Sequence, residues 1–568
     1  MRSIRGLGQA RKRLPEDRRL GPMLTGSQGQ KGSTKLTPFP EGGRSEELPF
    51  KMASFTPHEL TRVVLRAIRE NRADIPLWKA VISRTSSLVS SMQGGDLSVI
   101  VYGLGRMKFR DRALLDSVAA QVIPQLHAMS LNDISHLLSG FARVEVRNDL
   151  LFDLASREIG RKLNACKSLA EISNLTQAYT SLNYHHTLLF EALGKRTMFL
   201  LPFSDSGTEI PKLVEAFAKT EIENQKLFAL LSSEICKRID TIAIPSIARI
   251  ANSYSKRRLL RSNQFLSELI LDESFRRRHE FDPVATALLL NAVGRIKSPK
   301  TSLMFDYFVG DLGKRGIAKF DIQSVALLAH AVGKHCGGAV GSAPTKEVQK
   351  LFQLIGDRVA VLSENLSTRQ VAMLANAFAC VGARHGPLLY NLPRHVEAGI
   401  DGMNLSDLAA VMHGYAKLGI RNDVILACTP VRIEALIDAD QGSSQSSMSE
   451  GGDGEIFALS VNNGTDRRGG NQTGALVRIL ESFAMLMVNE KKLLPKLVLQ
   501  IERNKDTLSD TDVLVTIPKS LNMLSLECPE GLAGMIAAKV GKATLEDTQR
   551  QEIDMMITAN NSSLLPRY

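Results

Sequence analysis

Cysteine is scarce in this chain and nowhere paired. The six thiols, Cys166, Cys236, Cys336, Cys380, Cys428 and Cys528, are scattered through 568 residues with no C-x-x-C among them. That spacing offers neither a disulfide framework nor a zinc site, and reduced thiols buried as small apolar groups are expected instead. Aromatic residues make up only 5% of the chain, with a single tryptophan, while apolar residues reach 44%. Abundant leucine and alanine with few rings suit helix packed on helix, so an all-α protein is expected. No apolar run approaches the ~20 residues a membrane helix needs. The longest candidate, Pro283 to Val293, is about half that length, which speaks against membrane insertion.

Catalytic signatures are lacking too. Gly541-Lys542 has neither the upstream glycine nor the following hydroxyl of a phosphate-binding loop, and Gly103 with Gly105 has no third glycine. No H-E-x-x-H is present, and no Ser, His and Asp grouping has a recognisable local context. The adjacent pairs His185-His186 and His335-Cys336 are expected in turns, as surface or capping residues rather than metal ligands. The expectation is a protein that is not an enzyme, with no cofactor and no metal.

What the chain does have is a five-residue core that keeps returning: polar, small, large apolar, small, often basic. It is plainest in Asn291-Ala292-Val293-Gly294-Arg295 and His330-Ala331-Val332-Gly333-Lys334. Central residues of twelve such cores fall at 68, 104, 141, 179, 217, 254, 293, 332, 378, 415, 483 and 521, and nine of the eleven spacings are 36 to 39 residues. A pair of large apolar residues follows nine to eleven residues later in most copies, as in Leu114-Leu115, Leu150-Leu151, Leu188-Leu189, Leu303-Met304 and Leu388-Leu389. Turn-forming residues such as Arg147-Asn148-Asp149 and Arg421-Asn422-Asp423 separate the two landmarks, and capping residues open the next repeat at Ser130, Ser367, Asn404 and Ser509. Each repeat is therefore predicted to be a helix-turn-helix of roughly 37 residues, and about twelve of them to stack into an α-solenoid.

Two spacings are long for compositional reasons. A Gly-rich stretch, Gly337 to Pro344, widens one turn, and Ser/Gly/Asn-rich sequence fills 441–474. The predicted organisation is a basic, transit-like segment at 1–52, the solenoid at 53–440, a loop insertion at 441–474, further helical repeats at 475–543 and a tail at 544–568. The first fifty residues carry ten Lys or Arg against five acids, an Arg-rich start that resembles an organellar transit segment.

Within the core, positions one and three lie ~200° apart on a helix, whereas positions one and five lie ~40° apart. Position three is expected to face inward, and the small residues at two and four to admit a neighbouring helix. Positions one and five then share an outward face. Position one offers Gln177, Asn252, Asn291, His330, Asn376 and His413, groups that both donate and accept hydrogen bonds. Position five offers Arg106, Arg143, Lys219, Lys256, Arg295, Lys334 and Lys417. Two parallel stripes, one amide or imidazole and one cation per repeat, suit a single-stranded RNA laid along the solenoid. Macrodipole preference for cations near helix ends is the competing explanation. A net charge of +12 agrees with a polyanionic partner. The excess peaks through Lys256, Arg257, Arg258, Arg261, Arg276, Arg277, Arg278, Arg295 and Lys297: from Lys237 to Arg315 there are fifteen basic and eight acidic residues.

Ser139-Gly140-Phe141-Ala142-Arg143 with Asn148-Asp149-Leu150-Leu151, and His413-Gly414-Tyr415-Ala416-Lys417 with Asn422-Asp423, resemble heptatricopeptide repeats, which are related to octotricopeptide and FAST-kinase-like repeats. The resemblance covers most of Ser54 to Val540. It implies an organellar RNA-binding protein of the mitochondrial matrix, acting on ribosomal RNA as a mitochondrial ribosome component or assembly factor beside ribosomal or other organellar proteins. Many relatives carry a C-terminal RAP domain, and the stretch from Thr544 to Tyr568 is too short for one. The alternative expectation is a protein-binding scaffold of the armadillo or HEAT kind.

Overall fold

The computed structural model describes residues 52–540 except 185, 205–206, 221–223, 295, 297, 338–343, 363–365 and 447–468, with backbone alone at 261, 441–446, 469–471 and 540. Its main helices are α1 (Pro57–Arg69), α2 (Ile75–Leu88), α3 (Gly94–Met107), α4 (Arg112–Val122), α5 (Leu131–Arg143), α6 (Asp149–Lys162), α7 (Leu169–Ser181), α8 (Thr187–Leu200), α9 (Ile210–Lys219), α10 (Gln225–Arg238), α11 (Ile244–Lys256) and α12 (Gln264–Arg276). They continue as α13 (Pro283–Val293), α14 (Pro299–Arg315), α15 (Ile322–Gly337), α16 (Lys346–Leu362), α17 (Thr368–Val381), α18 (Gly386–Ala398), α19 (Leu405–Lys417), α20 (Asp423–Ser446), α21 (Gly469–Leu486), α22 (Leu493–Arg503), α23 (Ile517–Leu524) and α24 (Glu530–Val540). No strand occurs among the described residues. An odd helix and the even helix after it form one hairpin, so the twelve cores correspond to twelve hairpins of an all-α solenoid.

Capping chemistry sets the hairpin boundaries. Ser130 accepts from the Asp133 amide at the start of α5, Ser367 and Gln370 form a reciprocal capping box on α17, and Asn404 caps α19. Even helices are capped one position class at a time: Asn148, Asn224, Asn263 and Asn422 each accept from the backbone amide three residues on, at 2.9 to 3.1 Å. His186 and His385 do the same through Nδ1, at 3.3 and 3.2 Å.

Position three is buried in all twelve cores, from Ile68 to Leu521. At three junctions the small flanking residues meet across repeats, position four of one against position two of the next. A Cβ on Gly105 would lie 2.7 Å from the Gly140 Cα, and one on Gly333 would lie 2.9 Å from the Ala377 Cα. Where position four is serine the same junction becomes a hydrogen bond, Ser255 Oγ donating to the Ala292 carbonyl at 3.3 Å. Through these contacts the odd helices pack on one another far more closely than the even helices do. Two joined layers with unequal spacing must curve, and the more closely spaced odd layer lies on the concave side.

Tyrosine at position three adds a second tie. Tyr179 donates to the Phe152 carbonyl (2.7 Å), Tyr254 to Phe228 (3.1 Å) and Tyr415 to Leu389 (2.7 Å), each in the even helix of the preceding hairpin. Burial pushes all three phenols above their ordinary range.

Two expectations need correction. The apolar pair is shifted by one residue in three repeats: Leu151-Phe152, Leu189-Phe190 and Met304-Phe305 are buried, while Leu150, Leu188 and Leu303 face solvent. One residue is ~100° on a helix, so a run of three apolar residues leaves its inward pair undecided. Of the stretch expected as an insertion at 441–474, 447–468 lie outside the described residues; α20 runs to Ser446 and α21 begins at Gly469 on either side. Position one is half-buried in most repeats rather than fully outward, while the cations at position five that are described are exposed.

Candidate nucleic-acid interface

The cation stripe forms as a row on the concave layer. Arg106, Arg143, Lys219, Lys256, Lys334 and Lys417 all sit in the last turn of their odd helix and are exposed. Carbonyls at a helix C-terminus favour a cation there, which explains why each is held where it is. Lys219 is engaged locally by Glu215 at 3.1 Å.

The position-one stripe is a ladder that pairs with itself. Asn291 Nδ2 donates to Asn252 Oδ1 at 3.1 Å across one repeat. His413 Nδ1 lies 3.6 Å from the Glu481 carboxylate, which is position one of the next repeat. Burial lowers the His413 pKa, with Arg478 and Lys417 adding to the effect and Glu481 opposing it. At the same position Tyr102 lies under the Arg143 guanidinium at 4.8 Å and against the His136 ring at 4.7 Å. Gln177, His330 and Asn376 are half-buried in the same line. Part of the hydrogen-bonding capacity credited to base recognition is thus spent between repeats.

Lys256 apart, the described part of the basic run in the middle repeats does not follow this row. Arg276, Arg277 and Arg278 end α12 on the opposite, even-helix layer. Arg276 Nε donates to Glu273 at 2.8 Å, and Arg277 bonds Glu280 at 2.7 Å and the Ile242 carbonyl at 2.8 Å. These bonds hold the Glu273 and Glu280 carboxyls below their ordinary range. The Arg278 guanidinium packs over Phe275 (4.9 Å) and Tyr307 (5.2 Å). Arg257, half-buried, donates to the Thr220 carbonyl at 3.1 Å, while Arg258 is exposed in a left-handed turn (φ 60°). Arg295, Lys297 and the Arg261 side chain lie outside the described residues. Arg276, Arg277 and Arg278 therefore separate in space from the stripe that their nearness in sequence suggests, while Lys256 belongs to both the run and the row.

Arg277 belongs instead to a set of straps that sequence reasoning missed. Near the end of an even helix, a cation reaches back to the carbonyl just ahead of the odd helix in the same repeat: Arg84 to Phe55 (2.9 Å), Lys162 to Met129 (2.5 Å), Arg196 to Cys166, Arg277 to Ile242, Arg358 to Phe320 (3.0 Å) and Arg432 to Met403 (3.3 Å). Partners stand 29 to 38 residues apart, and no local pattern announces them.

A different cluster stands out on the concave layer. Between α3 and α5, Gly105, Arg106, Lys108 and Arg143 line a notch of about 350 Å³. Lys108 caps α3 in a left-handed conformation (φ 60°), which turns it beside Arg106. Among the described residues no carboxylate pairs with Arg106, Lys108 or Arg143. Lys108 follows the core by one turn and was not singled out from the sequence.

Of the two histidine pairs, His186 serves as a cap and His335 stacks on Phe305 at 4.0 Å; His185 lies outside the described residues. No grouping of three His, Cys, Asp or Glu suited to a metal occurs among the described residues, and none of their helices is long and apolar enough to cross a membrane.

No family model matches this chain, and no curated protein matches it. Among solved structures it is similar to a homology model of the full-length AP-3 complex in an intermediate open conformation, at 13% identity over 91% of this chain and 87% of that one, with a TM-score of 0.27. It is also similar to the pentatricopeptide repeat protein PPR10 in complex with an 18-nt psaJ RNA element, at 11% identity over 91% of this chain and 89% of that one, with a TM-score of 0.21.

Proposed function

We propose that this chain is an RNA-binding helical-repeat protein of the mitochondrial matrix, with ribosomal RNA as its partner and a role as a component or assembly factor of the mitochondrial ribosome. The observation that carries the RNA reading is the exposed cation at the concave end of one odd helix after another, from Arg106 to Lys417. Neighbouring packed helices stand about 8–10 Å apart, so the charges recur at a regular interval along one surface. Phosphates lying on such a row release counterions as they are neutralised. The ladder at position one, partly self-satisfied, leaves less for base recognition, and the binding is accordingly governed by backbone charge more than by base identity. Mitochondrial placement and the ribosomal partner rest on the heptatricopeptide resemblance and on the Arg-rich start. No group in the reading performs chemistry.

Replacing Lys256, Lys334 and Lys417 together by glutamate tests the row. RNA affinity should fall and its salt dependence flatten; unchanged affinity would sink the stripe. Crosslinking in isolated mitochondria, followed by sequencing of the bound RNA, tests the ribosomal assignment.

One observation favours a second reading, a scaffold for another protein. Leu150 (60%), Leu188 (75%), Phe265 (71%) and Leu303 (60%) are exposed in the opening turns of α6, α8, α12 and α14, in a region where solvent would ordinarily meet polar groups. Survival of a purified complex through ribonuclease and high salt would support that reading over RNA.

A further inference from the structure

The position-four to position-two contact is seen at Gly105 and Gly140, Ser255 and Ala292, and Gly333 and Ala377, and only at the first are both residues glycine. With both Cβ atoms missing, α5 approaches until the Gly140 Cα would lie 2.7 Å from a Cβ on Gly105. That approach draws Arg143 of one repeat toward Arg106 and Lys108 of the preceding one, around the notch of about 350 Å³. Tyr102, at 4.8 Å beneath its guanidinium, holds Arg143 in place. A helix C-terminus attracts one cation readily through its partial negative charge. Three cations at one pair of helix ends, with no carboxylate partner among the described residues, exceed that need.

Resting on the RNA reading above, we propose that this notch is a phosphate seat: Arg106, Lys108 and Arg143 converge on a single phosphate group of the bound strand and anchor it at the second and third repeats. Arg106, Lys108 and Arg143 are the contacting groups, and Tyr102 is a positioning residue. The site differs from the rest of the row, where successive cations lie one to a repeat, because here two repeats and the capping lysine serve one anion.

The test uses the full chain and a single-stranded RNA oligonucleotide of mixed sequence, prepared once with a terminal phosphate and once ending in hydroxyls. Arg106→Gln and Arg143→Gln are combined; both positions are exposed, and an unchanged far-UV circular dichroism spectrum confirms the fold. Affinity should drop about tenfold or more, and the slope of log affinity against log salt should fall by about 0.7, the loss of one neutralised phosphate on a single strand. Equal loss with both oligonucleotides assigns an internal phosphodiester to the notch; loss confined to the phosphorylated one assigns a terminal phosphate. A slope change of about 1.4 would mean two independent phosphates and overturns the shared seat. Binding indistinguishable from the parent chain overturns the notch while leaving the RNA reading intact, whereas failure of the parent chain to bind either oligonucleotide overturns the RNA reading itself. Tyr102→Leu should weaken binding less than the double variant, with Tyr102→Phe restoring it. Lys237→Gln on the even-helix layer should change nothing.

Discussion

The side-chain amide of Asn291 donates to the side-chain carbonyl of Asn252, 3.1 Å away and one repeat earlier. A hydrogen bond between two position-one residues ties neighbouring odd helices at a half-buried seam, so these groups have structural work before any ligand arrives. Asn252→Ala and Asn291→Ala should each lower stability by about 0.5–1.5 kcal/mol. The double variant should cost less than the sum of the two, as coupled partners do. Urea denaturation of the four chains measures the coupling, and strict additivity would remove the ladder from the account.

Glycine at the repeat junctions should be irreplaceable, in contrast with glycine elsewhere. A Cβ on Gly414 would lie 2.8 Å from the Ala375 carbonyl oxygen, and overpacking of this kind typically costs about 1–3 kcal/mol. Gly310 and Gly313, inside α14, meet nothing within 4 Å. Gly310→Ala and Gly313→Ala should each raise stability by about 0.5–1 kcal/mol through helix propensity. Opposite shifts of the denaturation midpoint are the expected outcome.

Straps and stripe should separate experimentally. Arg358→Met removes a charge-assisted bond to the Phe320 carbonyl and should cost about 1.5–3 kcal/mol while RNA affinity stays unchanged. Arg277→Gln should likewise lower the denaturation midpoint and leave the salt slope of RNA binding alone. A loss of affinity at full stability would return Arg277 to the RNA surface.

Stability should fall in mild acid. Burial is the first cause that lowers the pKa of His136, His335 and His413 below the ordinary imidazole value of 6.5. The unfolded chain then binds more protons than the folded one as pH drops, so stability is lost progressively from near 6.5 downward toward the depressed folded values. His413 faces Glu481, which opposes the lowering, and Arg478 and Lys417, which add to it. His413→Gln should flatten part of the decline between about pH 7 and 5, read from thermal midpoints across that range.

The architecture was legible in the chain because its determinants are local. Helix caps such as Asn148 and Asn422 act three residues away, and the inward face of each odd helix is written in five consecutive residues. Twelve copies made that pattern unmistakable, and the cations of position five follow from it by helical angle alone. The apolar pair at Leu150-Leu151-Phe152 was legible only to within one residue, since three consecutive apolar side chains do not say which one turns outward.

The remaining features were decided by partners far away in sequence. Arg277 looks like a phosphate ligand in its run of three arginines until Ile242, 35 residues back, is seen to hold it. Asn252 and Asn291 look free until they are brought to 3.1 Å across 39 residues. The notch exists only because Gly105 and Gly140 let two helices close on each other, so that Arg143 swings beside Arg106. Sequence by itself determined the repeat, its period, its buried face and the sign of the charge along its edge, all consequences of short-range helical geometry. Which of those charges are committed to holding the solenoid together, and which are left exposed along the row, was decided by how one repeat stacks on the next.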